Sequence, residues 1–226
     1  MVIIMNELWL IWKQSDIKRY KIGLLTLNND QYKFKYINPE IDDAKKAGFA
    51  FYPGFNDISK EYISNSLFAN IKTRLPNTRR PDYNEILKRY NLNINSTVFE
   101  ILEATRGRLI TDTFEFVPTF NLNMIIFDIA GTRHADDIDK AKNIIELNDK
   151  IVLENDDNNP NDKYAIKVYV SKGDNKYHLG FVPRYYTKEL REYLLNNSYD
   201  AFISRLILNT EIKDDEIRVY VKLILK

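Results

Sequence analysis

His134 and His178 are the only imidazoles in the chain, and they are not three or four residues apart, the spacing that sets two ligands or a ligand and a base on one helical face. There is no cysteine, so thiolate chemistry, disulfides and thiolate metal sites are excluded. None of the seven glycines lies two residues from another, which leaves neither a dinucleotide fingerprint nor a phosphate-cradling loop. The run Asp156, Asp157, Asn158, Asn159, Asn161, Asp162 has oxygens for a hard cation. It lacks the glycine at the sharp turn and the closing glutamate of a calcium loop. No acid, base and nucleophile can be named together. The expectation is a protein that binds rather than catalyses and needs no cofactor.

Two stretches have chemistry suited to binding. At Asn159-Pro160-Asn161-Asp162, the proline fixes its own φ and biases Asn159 toward extended backbone, while Asn159 and Asp162 can accept hydrogen bonds from nearby amides. That predicts a rigid turn delivering Ala165, Ile166 and Val168 into a sheet. The second stretch, Lys72 to Arg108, has eight basic against four acidic residues. Lys72, Arg74, Arg79 and Arg80 form its candidate anion or partner surface, and a solvated helix face laced with ion pairs is the plainer alternative. A formal net charge of +1 argues against a generic polyanion binder, so any nucleic-acid contact must be local.

The elements that would position these residues read as two groups. Glu7–Lys13, Tyr20–Leu27 and Gln31–Ile37 are apolar or alternating, with Asn28, Asn29 and Asp30 between the last two, which predicts a strand followed by a hairpin. Asn38 before Pro39 offers a helix cap and Gly48 a left-handed stop. The aromatic segment Phe49–Phe55 reads as core, with an exposed partner patch as the alternative. Helices are expected over Asp57–Ala69, Pro81–Tyr90 and Ser96–Thr105, then an extended segment over Thr113–Phe120. Polar Asn121 and Asn123 mark a boundary, giving domains 1–123 and 124–226 with net charges of +3 and −2. In the second, strands are expected at Met124–Phe127, Ile151–Glu154, Ala165–Val170, Lys176–Val182, Phe202–Leu208 and Glu216–Leu225. Helices are expected at Asp136–Leu147 and Thr187–Leu195. Ile217, Val219, Val221, Leu223 and Leu225 share one face by the period of two.

The stretch Leu153–Val168 (LENDDNNPNDKYAIKV) resembles the central signature of the HIRAN family, N-P-x-D-x-x-A-I-x-V. Gly131-Thr132-Arg133-His134 stands where the family has a glycine and an arginine-aromatic step, and Leu179-Gly180-Phe181-Val182-Pro183-Arg184 resembles its G-x-[VL]-P strand end. The resemblance covers residues 124–226. It implies a modified OB-like β-barrel with two helices and a pocket for single-stranded DNA or a DNA 3′ end. By the same resemblance the DNA-binding residues are Arg133, His134, Asn159, Asp162, Lys163 and Arg184. Asp162 would accept a hydrogen bond from the terminal sugar hydroxyl, Asn159 would shape or contact the end nucleotide, and the two arginines would face phosphates. End-binding members have tyrosines where this chain has His134, Ala135 and Asn161. His134, Tyr164, Tyr185 and Tyr186 are the rings available to stack bases in their place.

The first half resembles, more loosely, the N-terminal subdomain of HipA-type proteins. Gly23, the pair Phe34 and Tyr36, and Leu67-Phe68-Ala69-Asn70 through Arg74-Leu75-Pro76 carry that likeness. No kinase core follows, so it implies a scaffold or a site for a protein partner, as in a toxin-antitoxin or phage-defence regulator. The expected fold class is α+β. Met1–Met5 lack a basic leader, and Glu7 and Lys13 interrupt the apolar run behind them, so neither a secretory signal nor a membrane span is expected and a cytoplasmic location is.

Overall fold

The computed structural model describes residues 6–15, 18–208 and 217–226. Met1–Met5 and Glu216, which figure in the sequence reading, lie outside the described residues. The chain divides into two compact units, Met1–Thr119 and Phe120–Lys226.

The first unit is built on β1 (Asn6–Lys13), β2 (Arg19–Asn28) and β3 (Gln31–Tyr36). The β2–β3 turn is the two-residue pair Asn29-Asp30, both with positive φ, the geometry whose twist matches a hairpin. After α1 (Glu40–Lys46), β4 (Tyr62–Ser64), α2 (Ala69–Lys72), α3 (Tyr83–Arg89) and α4 (Val98–Thr105), β5 (Phe114–Pro118) completes an antiparallel sheet of order β4-β3-β2-β1-β5. Leu8, Leu10, Leu25, Tyr32, Phe34 and Tyr36 alternate onto its buried face. A Cβ on Gly23 would sit 2.6 Å from the Phe34 ring, so glycine is required where those strands meet.

The aromatic segment is core: Phe49, Tyr52 and Phe55 are buried, Phe55 stacks on Phe34 at 4.2 Å, and of its four rings Phe51 alone turns outward. The Tyr36 hydroxyl donates to the Phe55 carbonyl at 2.6 Å and accepts from the Tyr52 amide at 2.8 Å. Burial pushes its pKa up to about 12.

Two expectations fail in this unit. Asn38 does not cap α1; Pro39 occupies the cap position, and Gly48 follows at φ +98° as a left-handed stop. The helix expected over Asp57–Ala69 is absent. Ser59 bonds the Asp57 carboxylate through both its amide and its hydroxyl, which offers the backbone a turn in place of a helix. Tyr62 and Ile63 then pair with β3, placing the Tyr62 ring 4.7 Å from Phe55. Cross-strand aromatic packing outweighs the helical spacing. The last helix is as expected: Thr97 and Glu100 form a reciprocal capping box before α4.

The second unit begins with β6 (Met124–Asp128), a 3-10 turn at Thr132–His134 and α5 (Ile138–Ala141). Then come β7 (Ile151–Asn155), β8 (Ile166–Lys172), β9 (Asn175–Phe181), α6 (Arg184–Leu194), β10 (Tyr199–Leu208) and β11 (Ile217–Leu225). The strands form two three-stranded antiparallel sheets, β10-β11-β6 and β7-β8-β9. Single bridges, Ala130 with Phe181 and Lys150 with Phe202, link them at two corners. The expected α+β character is present, but these sheets do not close into a continuous barrel. The expected face of β11 is buried from Ile217 to Leu225, and Arg218 and Tyr220 on its other face are buried too.

Where a helix was expected over Asp136–Leu147, α5 holds only four residues. Ala141 and Ile145 are buried while Ile144 and Leu147 stay exposed, so a longer helix would have little apolar face to bury. No helix among the described residues is long and apolar enough to cross a membrane.

Candidate nucleic-acid interface

Between β7 and β8 the chain turns a corner whose bonds are supplied by its own short polar side chains. The Asp156 amide donates to the Ala165 carbonyl at 2.9 Å and closes the base of the loop. Inside it, the Asn159 Oδ1 accepts from the amides of Asn161 at 3.0 Å and Asp162 at 3.1 Å, while its Nδ2 donates to Asp156 Oδ2 at 3.1 Å. The Asp162 Oδ1 accepts from the Tyr164 amide at 2.9 Å. Proline at 160 lacks the N–H that would otherwise compete for these acceptors. The corner is the rigid turn that its residue types predict.

Helix α6 holds this corner from one side. Pro183 starts the helix, so Arg184 is its first residue and lies exposed on the first turn. Thr187 and Arg191, four residues apart, share a face. The Thr187 hydroxyl lies 3.0 Å from Asp162 Oδ2. Arg191 spreads its guanidinium over three points of the loop: Asn155 Oδ1 at 3.2 Å, the Lys163 carbonyl at 3.3 Å and Asp157 Oδ1 at 2.5 Å.

Sequence reasoning missed Thr187 and Arg191. Their i,i+4 spacing is visible in the sequence, but what they reach is set by the packing of α6 on the loop.

Arg133 and His134 lie on the 3-10 turn that follows the Ala130–Phe181 bridge, and both are exposed. That bridge depends on Gly180, whose added Cβ would meet the Ala130 carbonyl at 2.5 Å. Because the bridge is antiparallel, the chain leaves Ala130 along β9 and leaves Phe181 toward α6. The structure therefore joins Asn159, Asp162, Lys163 and Arg184 around one corner and carries Arg133 and His134 on the flank beside β9.

The Asp137 carboxylate fastens that flank by accepting the His178 amide at 3.0 Å. Burial lowers the pKa of His178, against the opposing pull of the Gly180 carbonyl, 3.0 Å from Nε2, and of Asp136.

Two of the four expected stacking rings are unavailable, since Tyr185 and Tyr186 are buried and pack edge to face at 4.7 Å. They face inward because α6 uses them, with Leu190, as its apolar side. His134 is exposed and Tyr164 is half-buried with the Lys163 ammonium 4.8 Å from its ring centre.

The basic stretch of the first unit also differs from expectation. Arg74 is buried: Nε donates to the Tyr52 hydroxyl at 2.6 Å, Nη1 donates to the Gly107 and Phe114 carbonyls at 2.8 Å and 3.3 Å, and Nη2 pairs with Asp112. It ties the helical part of that unit to β5 and is not an anion-facing residue. Arg80 is exposed but forked onto the Asp82 carboxylate at 2.9 Å and 2.7 Å. Lys72 and Arg79 are exposed. Among the described residues, no group of three or more His, Asp or Glu side chains gathers so as to hold a metal ion.

Against known proteins, residues 122–225, just under half of the chain, match the family model of the HIRAN domain. Among solved structures, the crystal structure of the HIRAN domain of human HLTF is similar at 17% identity and a TM-score of 0.34, over 46% of this chain and 75% of that one. No curated protein matches the chain.

Proposed function

We propose that this protein is a non-catalytic, cytoplasmic DNA-binding accessory protein whose residues 122–225 receive single-stranded DNA or a DNA 3′ end. The observation that carries this reading is the HIRAN match over those residues, together with the N-P-x-D corner of that signature held rigid beside exposed cations. Asp162 presents a carboxylate that can accept a terminal hydroxyl. Asn159 holds the corner, its polar atoms being committed to Asp156 and to the two amides. Arg184, Lys163 and Arg133 supply phosphate contacts, and His134 and Tyr164 the base-stacking surfaces. Because the domain from residue 124 is net negative, affinity must come from these few contacts and fall with salt.

Fluorescence anisotropy with labelled oligonucleotides ending in a 3′ hydroxyl or a 3′ phosphate tests the reading. Binding at low salt that favours the hydroxyl end and weakens in Asp162→Ala supports it. No binding to either oligonucleotide at low salt overturns it.

A second reading, a protein-interaction module in a toxin-antitoxin or phage-defence setting with a HipA-like first unit, is favoured by one observation. The corner side chains Asn159 and Asp162 are bonded within the fold. Recovery of one protein partner that survives nuclease treatment, with no DNA affinity, would select it.

A further inference from the structure

The Thr187 hydroxyl stands between two acceptors. Its Oγ1 is 3.0 Å from Asp162 Oδ2 and 2.9 Å from the Arg184 carbonyl, and the residue is 1% exposed. A hydroxyl has one proton, so it can make one full-strength bond or share itself between the two. The other Asp162 oxygen is held by the Tyr164 amide. The carboxylate is thus aimed by one fixed donor and one donor that has somewhere else to go.

We propose that Thr187 is a positioning residue that sets the preference of Asp162 for a hydroxyl-bearing strand end. This inference rests on the strand-end reading above. While the site is empty, the Thr187 proton holds Oδ2 and fixes the plane of the carboxylate. When a ligand hydroxyl donates to Oδ2, Thr187 turns its proton to the Arg184 carbonyl, and no buried hydrogen bond is lost.

A 3′ phosphate brings only negative charge and acceptors to the same oxygen, and Thr187 then has no partner to yield to. The carboxylate repels it. The device also couples the corner to the helix that carries Arg184, because the second acceptor is that residue's own carbonyl.

The test measures affinities of the full chain for matched 3′-hydroxyl and 3′-phosphate oligonucleotides in wild type, Thr187→Val and Thr187→Ser. Valine keeps the shape and removes the donor, while serine keeps the donor. The expected result is a hydroxyl preference that drops about tenfold in Thr187→Val, roughly one hydrogen bond's worth, and is retained in Thr187→Ser.

Because the readout is a ratio of two affinities for one protein, a uniform loss of folded protein does not move it. Should valine not be accommodated, Thr187→Ala carries the same expectation. Wild-type discrimination that persists unchanged in Thr187→Val or Thr187→Ala overturns the role of Thr187 while leaving the strand-end reading standing. Absence of any binding by the wild type overturns that reading and this inference with it.

Discussion

His178 shows how a single buried group links fold to solution conditions. Its ring packs between Tyr169 and Phe181, each 5.2 Å away, and Nδ1 is buried without a hydrogen-bond partner, 3.8 Å from the Asp136 carboxylate. Burial lowers its pKa from 6.5, Lys167 adds to that, and the Gly180 carbonyl, Asp136 and Asp137 oppose it. The unfolded chain therefore binds a proton at a pH where the folded chain does not. This contribution to stability is complete above the unfolded pKa and is lost as pH falls from there toward the depressed folded value. Urea midpoints should drop as pH falls through and below the ordinary histidine value of 6.5, and His178→Gln should flatten that part of the slope. An unchanged slope in the variant would count against a neutral buried imidazole.

Arg74 carries the opposite lesson about charge. A guanidinium that reaches Tyr52, Gly107, Phe114 and Asp112 cannot be removed without leaving the buried Gly107 carbonyl without its side-chain donor and the Asp112 carboxylate without its cation. Arg74→Ala should destabilise the first unit by about 3 kcal/mol in chemical denaturation, with no change in the DNA affinity of residues 122–225. A drop in DNA affinity without loss of stability would return Arg74 to the role of an anion-facing residue.

At the scale of elements, the corner, α6 and the Ala130–Phe181 bridge depend on one another. Gly180 has φ +131°, and a Cβ there would meet the Ala130 carbonyl at 2.5 Å. Gly180→Ala combines backbone strain of order 1–3 kcal/mol with a backbone clash, so the bridge should open. Hydrogen exchange at the Ala130 and Phe181 amides should accelerate more than at the β8 amides. Equal protection throughout would show that the two sheets hold together without the bridge. Elements also account for the two lost stacking rings: α6 presents Tyr185, Tyr186 and Leu190 to the interior, and the opposite assignment would strip the helix of its apolar side.

For the whole molecule, net charge of +1 with a negative second half means that, on the proposed DNA-binding reading, contact is concentrated at few sites. Three cations at the interface, Arg133, Lys163 and Arg184, predict a plot of log affinity against log salt with slope of roughly −2 for single strands. Arg184→Ala should make it shallower by about 0.7. Lys72→Ala and Arg79→Ala should leave it unaltered, and a shallower slope in those variants would bring the first unit into the DNA contact.

Much of the element order was legible because it depends on short-range physics. The hairpin follows from Asn29 and Asp30 tolerating positive φ, α4 from the Thr97–Glu100 box, and the inward face of β11 from strict alternation. The turn from Asn159 to Asp162 was legible for the same reason, since the bonds that Asn159 and Asp162 make to Asp156 and to the loop amides span two or three residues. Other features depended on partners distant in sequence. Tyr62 became a strand because Phe34 and Phe55 were there to meet it, and Arg74 turned inward because Tyr52, Gly107 and Asp112 converge on it. Thr187 reached Asp162, 25 positions away, only once α6 packed on the loop. Local bonding is encoded in neighbouring residue types, whereas burial and long-range hydrogen bonds are set by which surfaces the folded chain brings together.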